Sequence, residues 1–198
     1  ATVPGNRGGV LGSAPGVLEV VENASVSLSS AEVDQQVGLN GSMQRVTHEM
    51  TGASAMWDAG FTGAGVDVAV IDSGVVQVDG LRSPGKVVNG PDLSFEATVC
   101  DAAGCKASPV ANLDTYGHGT HLAGIIAGKD AAGLDPERFL GVAPDARLYN
   151  VKVGASDGAV DVSQVIAAID WVVAHRNDDP ANPIRVLNLS YGTDGVQD

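Results

Sequence analysis

The spacing of hydrophobic positions along the chain predicts where its strands and helices lie. Residues 66–72, VDVAVID, form a nearly continuous apolar run, which is typical of a strand covered on both faces. Segments 146–153 and 184–190 have the same character and predict two further core strands. Residues 161–176 show helical spacing instead, with Asp161 placed to cap the helix. The predicted apolar face of this helix comprises Val165, Ile169, Val172 and Val173.

Two shorter helices and a long loop complete the predicted elements. Small apolar residues over 118–128 predict one helix, and residues 52–60 predict another that ends at Gly60. Residues 73–116 contain many turn-forming residues and are predicted to be mostly loop. Because strands alternate with helices, the sequence predicts an α/β fold built on a parallel sheet.

The N-terminal part of the chain lacks strong periodicity. Residues 16–30 alternate in part and predict one strand with a turn at Glu22 and Asn23. The composition changes near residue 45, where this loose segment meets the α/β pattern. We therefore divide the chain into an N-terminal extension, residues 1–44, and an α/β region, residues 45–198.

Composition and charge argue against several classes of function. Apolar residues make up 44% of the 198 residues, which indicates a buried core rather than disorder. Acidic residues outnumber basic residues by 24 to 11, and we expect no nucleic acid partner, because phosphate binding needs a basic surface. The apolar runs are far shorter than the ~18 residues that a membrane span needs, so we expect no membrane partner either.

The chain contains two cysteines, Cys100 and Cys105, which enclose a tight loop with a glycine. In a secreted chain this spacing predicts a short disulfide, whereas in a cytosolic chain it predicts free thiols or half of a metal site. A zinc site would need a second cysteine pair, and the sequence has none. We favour the disulfide.

Candidate chemistry lies where the first core strand ends. Asp72 ends that strand, and His118 and His121 lie at the start of the helix predicted over 118–128. A carboxylate at the carboxyl end of a parallel strand can accept a hydrogen bond from a histidine ring and fix its tautomer. Two interpretations follow: a histidine pair that binds metal, or one histidine that acts as a base. A spacing of three residues supports metal weakly, because helical ligand pairs are more often four apart.

A dinucleotide-binding domain is a rival interpretation of GAGVDVAVID, residues 63–72. That fingerprint requires its glycines after the first strand, at the start of a helix. Gly63 and Gly65 precede the strand instead, so the sequence argues against this class of protein.

The order of the motifs resembles that of a known enzyme family. VAVIDSGV around Asp72 and YGHGTHLAGIIAG around His118 resemble the aspartate and histidine motifs of the subtilisin-like serine proteases, the subtilases. LGVAPDARLYNVKV and VLNLSYG are similar to the family segments that follow, so the resemblance runs from about residue 45 to residue 198. It implies a parallel α/β sheet with helices on both faces. It also implies that His118 is the general base, Asp72 its orienting partner and His121 a structural histidine.

The third member of the family's catalytic triad has no counterpart in the sequence. The family nucleophile lies in a GTSMA-type motif downstream, and the serines that follow His118 lack that context; they are Ser156, Ser163 and Ser190. The family's oxyanion-hole asparagine also lies in the absent segment. We therefore expect an incomplete subtilisin-like catalytic domain whose partner is its remaining C-terminal part. The alternative is a non-catalytic subtilase-like binding domain, or pseudoprotease.

The resemblance further implies a groove for a polypeptide substrate. Subtilases bind an extended substrate as a strand between two edge segments. One edge matches Gly158 and Ala159, and the other matches Ser190 and Gly192. Many relatives have a small aliphatic residue where this chain has Tyr191, so the resemblance does not give the shape of the main specificity pocket.

The family also implies a prodomain and a secreted protein. Residues 16–30 resemble the tail of an inhibitory prodomain, which places the maturation boundary between about Leu28 and Gln44; an ordinary N-terminal extension is the alternative. The acidic surface and the cysteine pair agree with a secreted, extracellular location.

Calcium is common in the family, although no cofactor is required for the chemistry. The loop over residues 129–139 falls where many relatives place a calcium site. Its candidate ligands are Asp130, Asp135 and Glu137, because calcium needs several oxygen ligands. The alternative is that these are solvated loop charges.

Overall fold

The computed structural model describes residues 15, 25–28, 47, 50–130 and 139–192. Its elements in chain order are β1 (Ser25–Leu28), α1 (Ala53–Asp58), β2 (Asp67–Asp72), β3 (Val87–Asp92), β4 (Thr98–Asp101), β5 (Gly104–Ala107), α2 (His118–Ala127), β6 (Arg147–Lys152), β7 (Ala159–Asp161), α3 (Val162–His175), β8 (Ile184–Leu189) and β9 (Tyr191–Gly192). No helix within the described part of the chain has the length and apolar character needed to cross a membrane.

The central sheet has four parallel strands in the order β3-β6-β2-β8. Strand β2 is buried along its whole length, as its continuous apolar run predicts. In the register between β2 and β6, Asp67 faces Arg147 at one end and Asp72 faces Lys152 at the other. The predicted α/β fold with a parallel sheet is therefore confirmed.

Helices cover both faces of this sheet. Successive residues of β2 point to opposite sides, so Val68 and Val70 face one layer while Ala69 and Ile71 face the other. On the first side the core contains, from α2, the small residues Ala123 and Ala127. On the second side it contains Ala168 and Val172 of α3. The expectation of helices on both faces is confirmed.

The cap of α3 is confirmed, but one residue of its predicted face is not. Asp161 forms a capping box with Gln164, whose Oε1 accepts a hydrogen bond from the Asp161 backbone N–H at 2.9 Å. The prediction that Val173 faces the core is wrong, because its side chain is 51% exposed. Val173 follows Val172 by about 100° around the helix, and Ala168, one turn before Val172, completes the buried stripe instead.

The prediction that residues 73–116 are mostly loop missed an edge strand and a hairpin. Strand β3 has the sequence VVNGPD, whose glycine and proline are depleted in strands. An edge strand tolerates proline because one of its sides needs no partner. Packing favours glycine at position 90, because a Cβ there would lie 3.2 Å from the ring of Trp171, which is a tight contact.

A second, smaller sheet lies apart from the central one, with the antiparallel order β7-β1-β9. Its middle strand, β1, lies within the segment 16–30 for which one strand is predicted. The turn predicted at Glu22 and Asn23 lies outside the described residues. Strand β1 is four residues long, and its two neighbours are three and two residues long.

Candidate active site

Asp72 and His118 meet at the carboxyl end of the central sheet. Asp72 is the last residue of β2 and His118 is the first residue of α2. The Nδ1 atom of His118 lies 2.8 Å from Oδ1 and 3.1 Å from Oδ2 of Asp72. The His118 side chain is 9% exposed and the Asp72 side chain 1%, so the contact is shielded from water. A proton on Nδ1 is donated to the carboxylate, which leaves Nε2 as the basic nitrogen of the ring.

The carboxylate of Asp72 also interacts with Ser73. The backbone N–H of Ser73 donates to Oδ1 at 2.7 Å, and the Ser73 hydroxyl, whose single proton is shared with Asp114, lies 3.2 Å from the same oxygen. Burial raises the pKa of Asp72 above its ordinary value, although the hydrogen bonds from His118 and Ser73 act in the opposite direction. Because little water surrounds it, an ionised Asp72 interacts strongly with a proton on His118.

Asp114, which the sequence analysis missed, holds the start of α2. Its Oδ1 accepts hydrogen bonds from the Gly117 N–H at 2.6 Å and the Ser73 hydroxyl at 2.7 Å, and its Oδ2 accepts one from the Thr120 N–H at 2.8 Å. Partial burial raises the pKa of Asp114, but the hydrogen bonds from Thr120, Gly117 and Ser73 outweigh it and lower the pKa. An aspartate shortly before a helix start is the sequence signal that could have identified it.

Glycine at position 119 lets α2 approach Asp72. A Cβ on Gly119 would lie 2.2 Å from the carbonyl oxygen of Gly74 and 3.0 Å from Oδ1 of Asp72. The Gly119 N–H donates to the Ser73 hydroxyl at 2.9 Å, which ties the helix to the end of β2. A residue with a side chain does not fit at this position without a shift of the backbone.

The predicted substrate-edge residues lie on both sides of strand β1. Ala159 of β7 and Gly192 of β9 both pair with Ser27 of β1. Gly158 precedes β7, and a Cβ there would lie 3.0 Å to 3.3 Å from atoms of the Tyr116 ring. Ser190 immediately precedes β9, and its hydroxyl oxygen accepts a hydrogen bond from Asn188 at 3.1 Å. The two predicted edges therefore face each other across one strand.

Tyr191 links one of these edges to the strand that carries Asp72. Its side chain is largely buried, and its hydroxyl donates a hydrogen bond to the backbone carbonyl of Ile71, the residue before Asp72. Burial, together with the negative charge of Asp72, raises the pKa of Tyr191 well above its ordinary value, so the hydroxyl keeps its proton. The sequence analysis noted Tyr191 only as a departure from the family and assigned it no contact.

Among the described residues, no group of three or more His, Cys, Asp or Glu side chains could hold a metal ion. Nδ1 of His118 is directed at Asp72, which leaves Nε2 as the ring nitrogen that could act as a base. Asp130 accepts a hydrogen bond from the Phe139 N–H at 3.0 Å. The other two candidate calcium ligands, Asp135 and Glu137, lie outside the described residues, so calcium stays a prediction.

Cys100 and Cys105 form a disulfide, with an S–S distance of 2.04 Å. They face each other across the β4–β5 hairpin, whose eight strand residues are all exposed. The hairpin pairs with neither the central sheet nor the three-stranded sheet. At its open end, the residues that flank the two strands are joined, because the Ser108 N–H donates to the Ala97 carbonyl at 2.9 Å.

Comparison with known proteins gives a consistent result. The model of the subtilase family matches residues 63–198. The minor extracellular protease Epr of Bacillus subtilis (strain 168) is 34% identical over 138 residues, which cover 69% of this chain and 17% of that protein. Serine protease AprX of the same organism is 32% identical over 136 residues, with 69% and 27% covered. Subtilisin E, also from Bacillus subtilis (strain 168), is 35% identical over 141 residues, with 71% and 30% covered.

The chain spans less than a third of the length of these three relatives. The family match itself covers most of this chain and includes the strand that ends at Asp72, the helix that begins at His118 and the other strands of the central sheet. The chain belongs to the subtilase family.

Proposed function

We propose that the full-length protein is a secreted serine endopeptidase that hydrolyses peptide bonds through an Asp-His-Ser triad. Asp72 and His118 supply two members, and the nucleophilic serine and the oxyanion donor belong to the remaining C-terminal part of the catalytic domain. The observation that carries this proposal is the buried 2.8 Å contact between His118 Nδ1 and Asp72 Oδ1 at the carboxyl end of the sheet.

The chemistry follows from that contact. Nε2 of His118 takes the proton of the serine hydroxyl as the serine oxygen bonds to the substrate carbonyl carbon. The resulting imidazolium is stabilised by the negative charge of Asp72, which itself stays ionised. His118 then gives the proton to the leaving amine when the peptide bond breaks, and a water molecule repeats the sequence to release the acyl group.

Strand β1 supports a polypeptide substrate that binds by strand addition. Residues 25–28 run antiparallel between β7 and β9 and pair with both, as an extended substrate would. On this proposal, residues 1–44 end in the tail of an inhibitory prodomain, and maturation cuts the chain between about Leu28 and Gln44. The division into residues 1–44 and 45–198 remains a prediction.

A secreted location is part of the proposal. The disulfide between Cys100 and Cys105 suits an oxidising compartment. One relative, the minor extracellular protease Epr, is extracellular by its name. Fractionation of cultures that express the full-length gene tests this point, and retention of the mature protein inside the cells contradicts it.

Replacement of the base tests the enzymatic proposal. In the full-length protein, His118→Ala should lower kcat for a peptide substrate by about 10⁴-fold to 10⁶-fold, the range seen for single triad losses in subtilisin. His175→Ala is the matched control, because His175 stacks on Trp171, in α3 on the other face of the sheet, and has no contact with Asp72. In the same preparations, the parent protein should acquire a new N-terminus within residues 29–45, and His118→Ala should not.

Two outcomes contradict the proposal in different ways. Near-normal hydrolysis by His118→Ala shows that this histidine is not the base. A folded full-length parent that carries the downstream serine but hydrolyses no peptide favours the alternative of a non-catalytic binding domain.

A further inference from the structure

Lys152 is a fully buried cation next to the site that plays no part in the mechanism above. It is the last residue of β6 and the register partner of Asp72. Its ammonium group donates to the Leu113 carbonyl at 2.6 Å, to the Thr115 hydroxyl at 3.0 Å and to Oε2 of Glu96 at 3.1 Å. All three donor positions of the ammonium group are therefore used.

Glu96 completes this arrangement from the loop between β3 and β4. Its Oε2 accepts a hydrogen bond from the Thr115 hydroxyl at 2.6 Å, in addition to the one from Lys152. Its Oε1 accepts one from the Ser156 backbone N–H at 2.8 Å. Partial burial raises the pKa of Glu96, but the hydrogen bonds from Thr115, Ser156 and Lys152 outweigh it and lower the pKa to about 2. The carboxylate is thus ionised at neutral and mildly acidic pH.

The two segments that this ion pair contacts lead to the two halves of the site. Residues 113–117 run directly into His118, the first residue of α2. Residues 154–158 run from the end of β6 to Ala159, the first residue of the substrate edge β7. The ion pair lies between these segments and bonds to both, and none of its own hydrogen bonds goes to His118.

We propose that Glu96 and Lys152 are positioning residues that hold the His118 segment and the substrate edge at a fixed separation. This inference rests on the proposed function. If the substrate edge shifts relative to His118, the scissile bond of a bound strand is misplaced relative to the base, and misplacement by about 1 Å is enough to slow catalysis about a hundredfold. A short substrate that does not use the edge responds only to the position of His118.

A purely stabilising role explains the arrangement less well. Desolvation of a buried ion pair cancels much of its Coulombic gain, so such pairs often contribute little net stability compared with an apolar pair of similar volume. Here the pair makes its hydrogen bonds to two separate segments, which fixes geometry rather than filling space. The kinetic test must therefore separate position from stability.

Glu96→Gln in the full-length mature protein is the main variant, because glutamine keeps the shape and removes the charge. Each variant is titrated with a fluorophosphonate, and kcat is expressed per titrated site, so that unfolded molecules do not count. A single-residue ester and a tetrapeptide amide serve as the short and the extended substrate. We expect kcat per site to fall about tenfold for both substrates and KM to rise about tenfold for the tetrapeptide alone.

Thr115 provides a milder second pair of variants if Glu96→Gln folds poorly. Thr115→Val removes the hydroxyl between Glu96 and Lys152 and should reproduce the rise in tetrapeptide KM at about half the size on a logarithmic scale. Thr115→Ser keeps the hydroxyl and should behave like the parent. Lys106→Met removes a cation from the exposed hairpin and is the matched control, with no expected change in either constant.

The outcomes separate this inference from the function on which it rests. Fewer titrated sites with unchanged kcat and KM per site would show that Glu96 is only structural, and so would an equal change in KM for the two substrates. If the parent is active and both Glu96→Gln and Thr115→Val have its kcat and KM, the inference alone is contradicted. A parent that hydrolyses neither substrate contradicts both the inference and the proposed function.

Discussion

The central sheet and the three-stranded sheet hold the two halves of the site by different means. Strand β2, which carries Asp72, is buried over all six residues and pairs with strands on both sides. Strands β7 and β9, the predicted substrate edges, are three and two residues long, and of their residues only Val160 is fully buried. Asp72 is therefore fixed by packing along a whole strand, whereas the predicted substrate edges depend more on separate contacts.

Those separate contacts are few and can be named. Gly158 lies against the ring of Tyr116, Tyr191 donates to the carbonyl of Ile71, and Ser156 donates to Glu96. Of Gly158, Tyr191 and Ser156, only Tyr191 packs against the hydrophobic core. Damage to the central sheet should thus abolish folding and catalysis together, whereas damage to the small sheet should change substrate binding with little loss of stability.

Gly119→Ala should have the largest effect, because its new Cβ would lie 2.2 Å from the Gly74 carbonyl oxygen and would force α2 away from Asp72. We expect the free energy of unfolding to fall by about 3 kcal/mol and kcat to fall at least about a hundredfold. Chemical denaturation in a His118→Ala background avoids self-digestion, and peptide hydrolysis is measured without that second change.

Gly124→Ala is the matched control for Gly119→Ala. It lies in the same helix, and nothing lies within 4 Å of the position that an added Cβ would take, so alanine should be neutral or stabilise the helix by up to about 1 kcal/mol. Equal behaviour of the two variants would contradict the view that a tight contact at Gly119 fixes the distance between α2 and Asp72.

The contrast between buried strands and separate contacts also explains which parts of the fold and of the site the sequence predicts. The strands around Asp72 and the helix at His118 are predicted because a buried element carries its environment in its own apolar pattern. Strand β3 was missed because Gly90 and Pro91 weaken that pattern at an edge. The roles of Tyr191 and the Glu96–Lys152 pair depend on partners that are distant in sequence, and no local pattern reports such partners. Asp114 differs, because its place shortly before a helix start is a local signal.

Gly158→Ala should affect the small sheet alone. A Cβ at this position would lie 3.0 Å from the Tyr116 ring, and the backbone φ of 79° adds strain of about 1 kcal/mol for alanine. We expect KM for a tetrapeptide to rise about tenfold, because the edge must move away from Tyr116, while kcat for a single-residue ester stays unchanged.

Gly85→Ala is the control that separates the contact with Tyr116 from the backbone strain at positive φ. Its φ of 75° is nearly the same, but nothing lies within 4 Å of an added Cβ. It should lose the same stability with no change in KM. A rise in KM for Gly85→Ala, or an unchanged KM for Gly158→Ala, would show that the Tyr116 contact does not position the edge.

The Glu96–Lys152 ion pair should also make the stability of the protein depend on pH. The folded protein lowers the pKa of Glu96 from 4.5 to about 2, so its ionised form stabilises the fold above about pH 4.5 and this stabilisation is lost as the pH falls towards 2. Glu96→Gln has no such titration. The Tm difference between the parent and Glu96→Gln, both in a His118→Ala background, should be greatest above about pH 5 and should shrink on acidification. A difference that stays constant from about pH 6 to about pH 3 would rule out the Glu96 charge as its source.

The smallest effect on kcat and KM is expected from the β4–β5 hairpin, which belongs to neither sheet. A disulfide that closes so short a loop contributes about 2 kcal/mol in the chain-entropy model. Because the hairpin strands are exposed throughout, the double variant Cys100→Ser and Cys105→Ser should lose at most that amount and keep the kcat and KM of the parent for both substrates. The bond itself is checked by iodoacetamide: protein unfolded without reductant should remain unmodified, and its mass should be two hydrogens below that of the dithiol form. Two alkylated cysteines would show that the bridge is absent. A change in KM would show instead that the hairpin contributes to the substrate groove, which would extend the set of separate contacts beyond Tyr116, Tyr191 and Glu96.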